Sequence, residues 1–365
     1  MHKVISFLVS LFCLNIFFSN PLQATGLSWS LVYPTRESTY ITSSSTNNSI
    51  VYASIRKWVD IDILKSIDSG KTWISVKNNL PVAADINWIS ISNNHPDTIA
   101  ISVWGTNGGI FLSENGGLFW SKIFSAPTPR SVAIHPNNPD IMFIGIGGSN
   151  SGQSGLYKTT DKGLTWQKIS QLGSNNNSQI NINPLNPNFI LADSDPHFYR
   201  STDGGINWSQ MPIDHASSTG SIFDNIHSVI YTGKYEENKG VYASYNNGDT
   251  WIPKNIGTSV DPFHISQDKN GGGGIGKLWK SINGGDTWTN VGQNDWLGRN
   301  TWGLDVAGDR ILVSVEGLGI YYADTNPEPD PVVFIPGFLG SWSYKGLIEN
   351  QSTTYADWEL MPIFT

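Results

Sequence analysis

One eight-residue pattern occurs six times in the chain: a Ser or Thr, an Asp or Asn two places on, a Gly two after that, and a Trp three further. The first copy is Ser66-Ile-Asp68-Ser-Gly70-Lys-Thr-Trp73. The acid or amide recurs as Asp68, Asn115, Asp161, Asp203, Asn246 and Asn283, and the indole as Trp73, Trp120, Trp166, Trp208, Trp251 and Trp288. Successive Trp residues are 47, 46, 42, 43 and 37 positions apart. A period near forty is the size of one four-stranded propeller blade.

Each copy lies between strand-like runs, such as Gly155-Leu-Tyr-Lys158 before the third and Thr165-Trp-Gln-Lys-Ile169 within and after it, so its middle reads as a hairpin turn. An Asp or Asn side chain accepts hydrogen bonds from backbone N–H groups of its own turn. Gly supplies a positive φ that a β-carbon would penalise. The Trp has a large apolar face to bury between neighbouring blades. Three copies carry Asn, which is neutral and cannot be a base. The motif therefore reads as a structural turn and not as a repeated catalytic or metal-binding carboxylate.

The pattern resembles the Asp-box, or BNR, repeat of sialidases, sortilin-type receptors and xyloglucanase-type glycoside hydrolases, over about residues 27–323. The resemblance implies an all-β propeller. A second repeat, Asn94-His95-Pro96-Asp97, Asn138-Pro139-Asp140 and Asn186-Pro187-Asn188, reads as the turn between the first and second strands of a blade. Ser28–Val32 looks like a strand that follows a motif, but none precedes it; Leu304–Val306, Arg310–Val315 and Gly319–Ala323 look like three strands with no motif after them. Joining the two ends predicts a seven-bladed β-propeller closed by the N-terminal strand, which removes exposed sheet edges. Its weakest blade is the sixth, where Gly271–Gly274 stands in place of a second strand.

The expected organisation is a signal peptide over 1–24, the propeller over 25–323, a Pro-rich linker over 324–331 and a further piece over 332–365. Lys3 followed by an apolar run from Val4 to Phe18 and a Gln23-Ala24 junction reads as a secretory signal, too short to span a bilayer. Secretion and no membrane span after cleavage are expected. Cys13 is the sole cysteine, so the mature chain would hold no disulfide or thiolate site. A net charge of −8 with no Lys/Arg run argues against nucleic acid as a partner. No cofactor and no metal site are expected, and the chain is read as a monomer.

Val332–Trp342, with its Pro336-Gly337 loop, resembles the opening of an α/β-hydrolase domain of the lecithin–cholesterol acyltransferase-like lipases. The resemblance implies that Phe338 or Leu339 donates a backbone N–H to an oxyanion hole. No Gly-x-Ser-x-Gly elbow occurs in the chain, so no complete catalytic set is present.

A sialidase would need an Arg triad and a Tyr–Glu pair, which the six Arg and Tyr235-Glu236 match poorly. The resemblance to xyloglucanases implies a pair of Asp residues, for which Asp60, Asp62, Asp193 and Asp195 in predicted loops are the available carboxylates. The main expectation is a binding or scaffold module for carbohydrate or protein, with glycoside hydrolysis of a polysaccharide as the alternative. The ligand face is expected opposite the motif turns, where loops hold Trp58, Trp104, His197, Tyr235 and Trp296 with Arg56, Arg130 and Arg299. Aromatics on loops stack on sugars or partner proteins.

Overall fold

The computed structural model describes residues 27–36, 38–44, 46–56, 61–81, 85–148, 152–172, 177–194, 197–214, 221–224, 228–234, 240–254, 278–281, 286–287, 289–293, 296, 299, 301–324 and 333–335. All regular structure among them is strand, apart from 3₁₀ turns at Ser170–Leu172 and at Trp296.

After β1 (Ser30–Pro34), the chain builds antiparallel sheets one after another. The first blade is β2 (Ser38–Ser43), β3 (Val51–Arg56), β4 (Asp62–Ser66) and β5 (Ile74–Ser75). The second is β6 (Asp85–Ile91), β7 (Ile99–Trp104), β8 (Gly109–Ser113) and β9 (Ser121–Ser125). The third is β10 (Pro129–Ile134), β11 (Met142–Ile146), β12 (Gly155–Thr159) and β13 (Gln167–Ile169). The fourth is β14 (Asn177–Ile182), β15 (Ile190–Ser194), β16 (His197–Ser201) and β17 (Ser209–Asp214). The fifth is β18 (Ser221–Asp224), β19 (Val229–Lys234), β20 (Gly240–Ser244) and β21 (Ile252–Lys254). Then come β22 (Trp279–Ser281) and β23 (Thr289–Asn290). The sixth blade is β24 (Thr301–Ala307), β25 (Arg310–Val315) and β26 (Gly319–Asp324), completed on its outer edge by β1. The last strand is β27 (Val333–Ile335).

The first strands of successive blades, β24, β2, β6, β10 and β14, pack side by side around the axis. The core is a series of layers between blades. Tyr52, Ile63, Ile86 and Phe111 fill the layer between blades one and two, and Phe143, Leu156, Ile180 and Ile190 the layer between three and four. Alternating strand residues face opposite neighbours, so strands buried on both sides read as continuous apolar runs.

Two expectations are corrected. The propeller has six four-stranded blades, not seven. Among the described residues, the stretch expected to supply a further blade contributes β22 and β23, three and two residues long, in a three-stranded sheet of order β23–β22–β27. The glycine run before it offers no side chains to bury, which weakens any strand there. Nor do the described residues form an α/β-hydrolase fragment. The strand expected to open that domain, Val333–Ile335, instead pairs antiparallel with β22 of the propeller. Phe338 and Leu339 lie outside the described residues.

Candidate functional site

The two ends of the propeller differ in chemistry. At one end stand the motif hairpins. In five copies the Ser or Thr hydroxyl accepts the Gly N–H at 2.8–3.0 Å and donates to the Asp or Asn Oδ1 at 2.7–3.0 Å. That Oδ1 also accepts the N–H of Thr72, Phe119, Thr165, Asn207 or Thr250 at 2.8–2.9 Å. Asp68 and Asp161 then accept from the Thr72 and Thr165 hydroxyls, whereas Asn246 donates its amide to the Thr250 hydroxyl. A hydroxyl both donates and accepts, which is why Asp and Asn interchange here. Asn283 and Trp288 lie outside the described residues.

These bonds occupy the carboxylates. Hydrogen bonds from Thr165 and Thr159 hold Asp161 down to about 2, and those from Asn207 and Ser201 do the same for Asp203. Slight burial pushes Asp68 up, but bonds from Thr72, Ser66 and Lys71 outweigh it and bring it to about 2. The hairpin also ties to the first turn of its own blade: the N–H groups of Ser69, Gly116, Lys162 and Gly204 donate to the carbonyls of Ser49, Asp97, Asp140 and Asn188. Both sets of turns therefore share one end. A cavity of ≈ 150 Å³ lies on the axis at this end, lined by the last residues of inner strands, with Thr42, Ser90, Asn93, Asn181 and Asp305 among them. Asp305 braces the ring, accepting the Ser43 N–H at 2.6 Å.

The opposite end carries the loops between second and third strands and those joining blades. Here Trp104 ends β7 and is 41% exposed, while Asp85, its cross-strand partner at the start of β6, is buried. Directly opposed residues project to the same side of a sheet. Arg130, exposed in β10 of the next blade, adjoins them: the Ser102 hydroxyl donates to the Arg130 carbonyl, and Asn87 Nδ2 donates to the Pro129 carbonyl at 2.8 Å. Trp104, Asp85 and Arg130 thus lie on neighbouring strands at the boundary between blades two and three. Asp85 is absent from the sequence expectations. Its signal was a single carboxylate opening an otherwise apolar strand, Asp85-Ile-Asn-Trp-Ile89.

The remaining expected residues are scattered. His197, half-buried at the start of β16, shares a hydrogen bond with Gln210 at 3.0 Å and meets Tyr199 edge-on. Arg299 is half-buried and donates to the Glu316 carbonyl. Trp296 is 0% exposed and packs on Trp29 and Tyr321 with ring centroids 5.1 Å away in both cases; it belongs to the core and presents no surface. Arg56 ends β3, and Trp58 and Tyr235 lie outside the described residues. Asp62 and Asp193 sit in strands, not loops; Asp62 accepts the Ser75 hydroxyl at 2.6 Å and Asp193 is buried. Asp60 and Asp195 lie outside the described residues. Among the described residues no group of three His, Cys, Asp or Glu is placed to hold a metal ion, and no helix is long and apolar enough to cross a membrane.

Similarity to known proteins bears first on the fold. The structure is similar to a GH74 xyloglucanase from Xanthomonas campestris, with a TM-score of 0.59 at 12% identity, covering 86% of this chain and 56% of that one. It is also similar to YCF48 bound to D1 peptide, with a TM-score of 0.57 at 17% identity, covering 84% and 96%. The fold is a β-propeller of the xyloglucanase and YCF48 type. In sequence the chain is similar to a xyloglucanase of Hypocrea jecorina, 26% identical over 249 residues, or 60% of this chain. It spans only 27% of that relative's length. No protein-family model matches the chain.

Proposed function

We propose that the chain is an exported propeller module that binds a plant-type β-glucan, xyloglucan foremost, on the end opposite the motif hairpins. The observation that carries the proposal is the exposed Trp104 indole standing across from the buried Asp85 carboxyl and beside Arg130. Sugars present apolar C–H faces rimmed by hydroxyls, so an exposed aromatic platform with an exposed arginine on the neighbouring strand suits them. The xyloglucanase names of the sequence relatives favour this ligand over others. In this reading residues 1–24 direct export, residues 25–323 form the module, and residues 324–331 link it to residues 332–365. The repeated motif is an Asp-box serving the fold, and the module is a monomer.

A second reading is glycoside hydrolysis, favoured by the activity in the relatives' names. It requires two carboxyl groups at a defined separation across the sugar. Asp85 and Asp193 are buried acidic residues at this end among the described residues.

Affinity electrophoresis through gels containing xyloglucan, cellulose derivatives, mannan or no polysaccharide tests both. The binding reading expects retardation by xyloglucan with no new reducing ends. Release of reducing sugar would move the chain to the hydrolases. Equal mobility in every gel would remove the carbohydrate reading.

A further inference from the structure

In each of the first five blades the strand that opens the motif hairpin pairs with a second strand supplied by the chain just before it. The register is constant. Ser66, Ser113, Thr159, Ser201 and Ser244 stand opposite Val51, Ile99, Met142, Ile190 and Ile230. The next two residues of these second strands are Tyr52-Ala53, Ala100-Ile101, Phe143-Ile144, Leu191-Ala192 and Tyr231-Thr232. In the small sheet, Ser281 stands opposite Val333, followed by Phe334 and Ile335. Thus β27 takes the place, direction and register of a second strand, although it lies 52 residues further along the chain than its partner Ser281. Its order of an apolar, an aromatic and an aliphatic residue is that of Val51-Tyr52-Ala53 and Met142-Phe143-Ile144.

We propose that the edge of β22 is a strand-acceptor site for extended peptides of aliphatic–aromatic–aliphatic type, filled in this chain by Val333–Ile335. The site is independent of the carbohydrate reading, since it involves a different sheet and a different ligand. A strand edge presents N–H and C=O groups to any extended segment, and alternate side chains set the choice. Three residues make a short ladder. The tether makes it effective, because eight residues (325–332) join β26 to β27 and short linkers give local concentrations of about millimolar. A peptide in trans must compete with that, so the site is accessible when the tethered strand is weakened and closed when it is locked.

Two full-chain variants in a Cys13→Ser background test this. Lys280→Cys with Phe334→Cys places thiols at directly opposed positions. Opposed antiparallel residues have Cα separations of about 4.5–5.5 Å, inside the range a disulfide spans. Ile335→Pro removes an N–H that β27 turns towards β22, since Ile335 pairs with Trp279 on the hydrogen-bonded side of the ladder. The probe is a fluorescein-labelled peptide of the sequence of residues 331–336, followed by anisotropy. Hydrogen exchange in β7 checks folding of each variant. If Ile335→Pro fails to fold, Phe334→Asn, which keeps the ladder N–H groups and loses the apolar side chain, replaces it. The expected result is a disulfide that forms on oxidation, and binding at least tenfold tighter to the open variant than to the cross-linked one. A probe with Asp for its Phe should lose that binding. Failure of the cross-link to form, or equal binding to open and locked chains, overturns the proposal.

Discussion

Trp104 stands directly across the β6–β7 ladder from Asp85, with its indole 41% exposed and the carboxyl opposite it 3% exposed. The pair joins a surface that a ligand can reach to a carboxyl that water barely reaches. The motif Asp residues stand at the other end of the propeller, where Ser, Thr and backbone groups hold them.

Gly205 adopts φ 83°, and a β-carbon there would meet Phe143 Cε1 at 2.6 Å. Gly205→Ala should therefore combine left-handed strain with overpacking, at a cost of about 3 kcal/mol. Urea unfolding should show a lower midpoint with little change in slope.

Asp203 accepts from the Ser201 hydroxyl, from two backbone N–H groups and from the Asn207 amide. Asp203→Ala should lower Tm by about 2–4 °C, the equivalent of about 1 kcal/mol of lost hydrogen bonding. Asp203→Asn keeps the Oδ1 acceptor, as Asn115 and Asn246 do in their copies, and should lose no more than half as much.

Acid should act through the same hairpins. Asp68, Asp161 and Asp203 have folded values of about 2, below the ordinary carboxylate value of 3.8. A depressed folded value gives stability that is present above the unfolded value and lost as pH falls through the folded one. Unfolding midpoints should therefore hold above about pH 4 and drop between about pH 4 and 2. All three residues are half-buried at the surface, where solvent screens them, so the effect per residue is modest. The triple Asn variant should show a shallower fall over the same window.

Trp296 and Trp104 should separate by their burial. Trp296→Ala opens a cavity beside Trp29 and Tyr321 and should cost about 3–5 kcal/mol. Trp104→Ala should change stability by no more than about 0.5 kcal/mol.

The repeat was legible because each of its residues has a local reason: Ser66, Asp68 and Gly70 bond within one turn, whatever the rest of the chain does. The blade count was not, because it rests on pairings far apart in sequence. Val333-Phe-Ile335 has the pattern of any buried strand, and nothing local names β22 as its partner. Trp296 reads as a loop aromatic for the same reason. Its burial depends on Trp29, 267 residues earlier, whose Nε1 reaches the Val291 carbonyl at 2.7 Å. Asp85 is silent in the sequence because a lone carboxylate carries no motif, and only the ladder shows that Trp104 lies opposite.

Isothermal titration of xyloglucan oligosaccharides into the chain and into Trp104→Ala tests the central claim most directly. The prediction is saturable binding to the parent and at least a tenfold loss in the variant, with the unfolding midpoint unchanged. Equal affinity of the two proteins, or no heat of binding from the parent, would contradict a carbohydrate site at Trp104.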